Sequence, residues 1–441
     1  MDVSLLRAVR IVIHADAHPI RQAYFEGFRS ASRSIRLAAF VHARVKHSML
    51  GAACLMAYGL GALARLAPPR PSPGPWILAL AVHSNAQRFS DDVAGAVGVP
   101  TQHLWSARST RLRDTIGLFR MIRAGRWRRP LAWLGKVQRT QTFLVSCRLA
   151  RVVVCYSAAR HLLRATRPTA VLVSSDSNPE EVALIEAARQ VGIPSIFVAH
   201  AYATPVSPPL STDLALLEGE AAAAIRQRSV AARGVVALIG LPGASQPMVA
   251  SRVRAEAPTI GLCLPKVVSA PVLATVIEDC LTTFNPKAVL VRWHPSDPKP
   301  CDVHGMAHGD PRVISTATGA PIGDMVRQCD WIVADVNSNV HLDALKLGVP
   351  TVAVDGIGPV QEQHTDMYRF VANRLIPPAV RRLREIDAER LAVFYSGDWA
   401  HRFARYDATY MAAPQERTTR IATAVAQLID QCSAASGSPA A

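Results

Sequence analysis

The feature that most restricts this chain is a series of short, uninterrupted apolar runs separated by stretches with helical spacing. The runs lie at residues 76–82, 170–174, 194–199, 214–217, 235–240, 259–264, 288–293, 331–335 and 351–355. Strands this apolar must be covered on both faces, and the intervening helices can supply that cover. The pattern predicts parallel sheets with helices on either side. One helix is expected over 179–191, started by Pro179, and another from about Ser90, with Ser90 as its N-cap. The alternation loosens over 241–256 and resumes at Thr259. Two doubly wound domains follow, 76–245 and 257–384, with a switch-point crevice between them. Residues 385–431 read as helices and 432–441 as a disordered tail.

Residues 1–67 carry Leu, Arg and Ala at helical spacing and no strand alternation, so they predict a basic helical extension. The Pro-rich run 68–75 reads as a stiff linker. Within the extension, 48–64 lacks charge. It could be a buried helix, a hairpin in a membrane interface or a single spanning helix, spanning being the least expected because of its shortness and its Gly51, Gly59 and Gly61. No second such stretch exists, which excludes a polytopic membrane protein. An apolar content of 50% excludes disorder over most of the chain. Arg7, Arg10 and Asp16 interrupt the first apolar run, so no signal peptide is expected. The eight cysteines form no CxxC pair and are scattered through apolar stretches, as in a cytosolic protein with reduced thiols.

The formal charge of +16 is uneven. From Arg108 to Arg167 there are fifteen basic residues against one acid, Asp114, and residues 1–75 add ten against three. The densest part, 120–129, interleaves Arg with Trp127, Met121 and Ile122. This suits an anionic membrane surface or acceptor. The bland alternative is a solvated basic face. Nucleic acid is the third, and no nucleic-acid-binding signature accompanies the charge, so the reading is no nucleic acid.

Four loops after predicted strands carry the candidate chemistry, since open α/β sheets bind ligands at the carboxyl ends of their strands. In Ser174-Ser-Asp-Ser-Asn-Pro179, Asp176 is either a general base or, with Ser177 or Asn178, a helix cap. His200 is released at the end of the run 194–199 and could titrate near neutrality. In Arg292-Trp-His-Pro295, Arg292 and His294 could hold phosphate oxygens. The segment 335–350 starts a helix at Ser338 or Asn339, where free N–H groups could meet an anion. Asp343, one turn on, could accept from ribose hydroxyls. There is no Asp-x-Asp pair, no Walker loop and no Gly-x-Gly-x-x-Gly after a strand. Cys301, His304, His308 and Asp310 match no zinc spacing, so neither metal nor cofactor is expected.

In order, His200-Ala201, Glu218-Gly-Glu220, Arg292-Trp-His-Pro295 and Ser338-Asn-Val-His-Leu-Asp343 resemble the motifs of bacterial surface-polysaccharide transferases of the GT-B fold. Capsule polysaccharide transferases, polysialyltransferases and CDP-glycerol glycerophosphotransferases are the families concerned. The likeness covers about 76–431, and it departs where the family has His-Gly and this chain has His200-Ala201. The resemblance implies a metal-independent transferase moving a sugar or polyol phosphate from a CMP-, CDP- or UDP-linked donor to a growing, lipid-linked or anionic polysaccharide. It implies His200 or Asp176 as the base, and Arg292, His294, Ser338, Asn339, Asp343 and Glu220 as donor-binding residues. A cytoplasmic protein, peripheral on the inner membrane, is expected. A non-catalytic assembly protein and a sugar-nucleotide epimerase are the alternatives.

Overall fold

The structure, a computed structural model, describes residues 2–17, 22, 33–63, 74–81, 84–104, 128–199, 202–204, 207–208, 210–227, 234–265, 268–294, 302–316, 320–358 and 366–437. The chain divides into two units. One is Met1–Glu218, Ala222–Ile239 and Arg417–Ala441; the other is Gly219–Ala221 and Gly240–Glu416.

The first unit begins with α1 (Val3–Ala17), α2 (Arg33–Val45) and α3 (Met49–Leu63). Then come β1 (Ile77–Leu80), α4 (Ser84–Val97), β2 (Thr101–His103), α5 (Arg128–Val137), α6 (Phe143–Thr166), β3 (Ala170–Val173) and α7 (Pro179–Val191). It continues through β4 (Ser195–Val198), β5 (Leu214–Leu217), α8 (Glu220–Gln227) and β6 (Val235–Leu238). All six strands are parallel, in the order β2-β1-β3-β4-β5-β6. The four central strands are buried throughout, as their unbroken apolar sequences require. α4 starts at Ser84, not near Ser90. Its core stripe already includes Ala86 and Phe89, so Ser90 falls inside the helix as a buried side chain and caps nothing.

α6 is apolar on nearly every side and correspondingly buried. Three of its arginines are paired within the unit. Arg148 Nε donates to Asp16 of α1 at 2.7 Å, Arg160 to Asp2 at 3.0 Å, and Arg151 pairs with Glu180 of α7. Part of the basic excess read from the sequence is therefore consumed inside the unit. The uncharged run 48–64 is the helix α3, packed on α6 through Gly51, Ala52, Leu55, Met56, Gly59 and Leu63. A Cβ at Gly59 would stand 2.8 Å from the Ala150 carbonyl oxygen, so the glycine permits this close approach. Among the described residues, no helix is long and apolar enough to cross a membrane.

The second unit runs β7 (Thr259–Cys263), α9 (Ala270–Phe284), β8 (Ala288–Arg292), α10 (Val303–Met306), β9 (Val313–Ser315), α11 (Ile322–Val326), β10 (Trp331–Asp335), α12 (Val340–Lys346) and β11 (Thr351–Val354). Two further helices, α13 (Ala388–Phe394) and α14 (Trp399–Ala404), complete it. Its five parallel strands lie in the order β11-β10-β7-β8-β9. The last helix, α15 (Glu416–Gly437), sets Ile421, Ala424, Val425 and Leu428 into the first unit's core, beside Ile77, Leu172 and Leu214.

Candidate functional site

The second sheet starts at β7, steps outward through β8 to β9, and resumes at β10 on the other side of β7. Its strand order reverses between β7 and β10, the place where such sheets bind ligands. Cys263 is the register partner of both Arg292 and Ala334. Arg292 and Asp335 therefore end neighbouring rows of the same edge, about 10 Å apart at two inter-strand spacings.

Asp335 ties this edge together. Its Oδ1 accepts from Asn337 N at 2.9 Å, its Oδ2 from Gly358 N at 3.4 Å, and its carbonyl oxygen from Ser338 N at 2.9 Å. The loops after β10 and β11 are thus held to one side chain. Burial pushes the Asp335 carboxyl up from the usual carboxylate range.

His341, the second residue of α12, is fully buried, and its Nε2 lies 3.0 Å from the Asp335 carbonyl oxygen. A carbonyl only accepts, so Nε2 carries the proton and Nδ1 is bare. Nδ1 has no hydrogen-bond partner among the described residues. Burial pushes this imidazole down to about 4, so it is neutral at physiological pH.

Ser338 and Asn339 stand where the helix start was expected. The capping is slight: Ser338 Oγ accepts from Val340 N at 3.4 Å, and the Asn339 side chain caps nothing. Asn339 donates instead to Tyr368, and its buried Oδ1 has no partner among the described residues. Asp343 is open to solvent yet ringed by protein. That crowding pushes its carboxyl up to about 6, and Lys346 pulls it back. Water reaches the carboxylate and limits the shift, and the direction is upward.

Arg292 is buried at the end of β8, with Nη2 donating to the Ala320 carbonyl at 2.5 Å. His294 is half-buried two residues beyond the strand. Glu220 opens α8 as an exposed residue 3.8 Å from Arg405. The Gly219 before it is required, because a Cβ there would lie 2.5 Å from the Arg405 carbonyl oxygen. Asp310 is engaged by Arg312 at 2.7 Å. Among the described residues, no three His, Cys, Asp or Glu side chains are grouped to hold a metal ion.

In the first unit, Asp176 follows β3, beside the order reversal between β3 and β1. The N-cap residue of α7 is Asn178, whose side chain makes no cap bond. Ser175 Oγ accepts from Ser177 N and Asn178 N at 3.3 and 3.2 Å, and Glu181 reaches back to Ser175 N. Asp176 instead forms a buried ion pair with Arg226, whose guanidinium lies 4.6 Å from the centre of the Phe197 ring. His200 and Ala201 lie outside the described residues.

The sequence reading did not single out Asp335, His341 or Lys346. His341 was legible as a member of the buried stripe it forms with Ala344 and Leu345. Lys346 gave no signal. It is a buried cation donating to Asp407 at 2.8 Å and to the Leu241 carbonyl at 2.7 Å, contacts supplied from far along the chain.

No family model matches this chain, and no curated protein matches it. Among solved structures it is similar to a UDP-glucosyltransferase from Polygonum tinctorium, with 10% identity, coverage of 82% of this chain and 100% of that one, and a TM-score of 0.50. It is also similar to a UDP-N-acetylglucosamine 2-epimerase from Rickettsia bellii, with 12% identity, coverage of 81% and 97%, and a TM-score of 0.50. Two parallel-sheet α/β domains of this kind are the GT-B fold, and the chain has that fold.

Proposed function

We propose that this chain transfers a sugar, or a polyol phosphate, from a nucleotide-activated donor to a growing, lipid-linked cell-surface polysaccharide, without a metal ion. The observation that supports this best is the row of polar groups at the carboxyl ends of β8, β10 and β11, on either side of the strand-order reversal. In this reading Arg292 and His294 hold the donor phosphates as charge-assisted donors. The Ser338 hydroxyl and Asn339 Oδ1, which has no partner among the described residues, orient the donor, and the open Asp343 carboxylate accepts from ribose hydroxyls. Glu220 is a further donor contact. His200 is favoured over Asp176 as the base that takes the acceptor proton, because Asp176 is committed to Arg226. The basic first half serves an anionic acceptor and an anionic membrane surface, on the cytoplasmic face of the inner membrane.

The test is incubation of the protein and membranes with radiolabelled CMP-, CDP-, UDP- and GDP-sugars. Label should enter lipid-linked polymer from one of them. Absence of both incorporation and donor binding across the panel would overturn the proposal. The likeness to an epimerase motivates a second reading, in which the same assay yields an isomerised free nucleotide sugar and no polymer.

A further inference from the structure

We infer that the outward face of α2 and α3 is a docking surface for an anionic lipid bilayer, and that its bulky apolar side chains enter the interface. The inference rests on the membrane part of the reading above and is independent of the transfer chemistry.

Leu37, Phe40 and Val41 are exposed at 64%, 55% and 50% on α2, and Met49, Leu50 and Tyr58 at 57%, 64% and 51% on α3. These six are half of the twelve exposed bulky apolar residues in the described chain, and they fall within 37–58. Their spacing is helical. Leu37, Phe40, Val41 and Arg44 share one face of α2; Leu50, Ala53, Cys54, Ala57, Tyr58 and Gly61 share one face of α3. The opposite face of α3 is used against α6, so its outward face is not needed for the core. α2 sits lightly on the unit. Its one residue classed as buried is His42, whose ring centre lies 5.3 Å from that of Phe143.

The turn 46–48 fixes the two helices to each other. Ser48 Oγ donates to the Val45 carbonyl at 2.7 Å and accepts from Gly51 N at 3.3 Å. Gln138, just after α5, donates to the Ser48 carbonyl at 3.2 Å. The pair is therefore presented by the fold.

The charge of the segment selects the partner. In sequence there is no acidic residue between Glu26 and Asp91, and the cations of α2 and the turn after it with described side chains are Arg36, Arg44 and Lys46. Exposed Arg36 and Arg44 flank the apolar stripe of α2, and Arg44 lies 4.3 Å from the centre of the Phe40 ring. An apolar strip with cations and no acid on its own two helices suits the boundary between acyl chains and anionic headgroups. A protein partner with an acidic rim is the competing occupant, as is a second copy, although the cations of two such helix pairs would repel each other.

The experiment is flotation of the full chain on phosphatidylcholine vesicles with and without phosphatidylglycerol, at low and high salt. The wild type should float with the anionic vesicles and stay partly bound in high salt. The pair Phe40→Glu and Leu50→Glu should weaken binding about tenfold or more, with the thermal unfolding midpoint unchanged because both sites are exposed. A polarity-sensitive dye on exposed Cys54 gives a second readout. It should shift to the blue on anionic vesicles only, and a Cys54→Ser control should lose the signal.

Flotation of the Phe40→Glu, Leu50→Glu variant at wild-type strength would overturn the inference. So would a wild type that ignores vesicles and forms a dimer that the same substitutions dissociate. If vesicles are bound but no nucleotide sugar is, the transfer reading fails and this one stands.

Discussion

His341 Nδ1, without a partner among the described residues, makes a quantitative demand on the stability of the second unit. Protonating it would place a charge on a fully buried ring whose other nitrogen already serves the Asp335 carbonyl. The folded imidazole sits at about 4, against 6.5 when free. As pH falls, the unfolded chain takes the proton first. The stabilisation is therefore complete above pH 6.5 and is lost as the pH falls towards 4. At about 1.4 kcal/mol per pH unit the full gap is about 3 kcal/mol, of which about 2 kcal/mol is gone by pH 5. His341→Gln keeps an N–H donor and removes the titration. Asp335 and Asp343, whose carboxyls are raised, work in the opposite direction, because the folded state then takes their protons first. The informative quantity is accordingly the difference between wild type and variant. Urea unfolding at pH 7 and pH 5, followed by far-ultraviolet circular dichroism, should show the wild type losing about 2 kcal/mol more than His341→Gln. If the two units unfold separately, the difference belongs to one transition. Equal losses would refute the assignment of a buried neutral imidazole.

Three further outcomes are expected. Asp176→Asn should cost about 3–5 kcal/mol in urea unfolding, because the buried Arg226 loses its carboxylate; a loss below about 1 kcal/mol would count against a structural pair. His294→Ala should lower kcat about a hundredfold with an unchanged melting midpoint, and wild-type kinetics would remove it from the phosphate site. Asp343→Asn should weaken donor binding in calorimetry about tenfold. It should also abolish a decline in wild-type affinity as pH falls through the raised range of this carboxyl, since the protonated carboxyl accepts poorly from a hydroxyl; an identical pH dependence in both proteins would sink that role.

The strands were legible because burial on both faces writes itself as unbroken apolar sequence, and 331–335 coincides with β10 to the residue. The edge strands β2 and β9 were not. Each is three residues long and partly exposed, so neither needs an apolar run. Helix starts were read less well than helix bodies, and Ser90 shows why. A serine before an acidic pair looks like a cap, but the stripe of Ala86, Phe89 and Val93 carries the helix through it. At the candidate site, positions were legible and duties were not. The residue types in the Ser174–Pro179 loop suggested Asp176 as cap or base. Its actual partner, Arg226, is fifty residues away in sequence. Contacts of that range, like that of Lys346 with Asp407, leave no local pattern to read.

The same argument applies to charge. Fifteen basic residues against one acid describes a segment, and the acids that answer it lie elsewhere: Asp2 and Asp16 on α1 side, Glu180 on α7. Asp16 is 1% exposed and Arg148 mostly covered, so this pair is part of the packing and not a rim contact. α1 is also held by Leu5, Ala8, Val9, Val12 and Ala15. The helical extension is thus built into the first unit, and three arginines of α6 are already paired with carboxylates of that unit. Exposed cations on described elements include Arg36 and Arg44 on α2, Lys136 on α5 and Arg164 on α6. The densest basic stretch of the sequence, 120–129, lies outside the described residues except for the start of α5, of whose Arg128 and Arg129 side chains nothing is described; on the described elements attention falls on α2, where exposed arginines stand beside exposed Leu37, Phe40 and Val41. Guanidinium beside unburied apolar surface is a combination that water alone does not favour and that the headgroup boundary of a bilayer does.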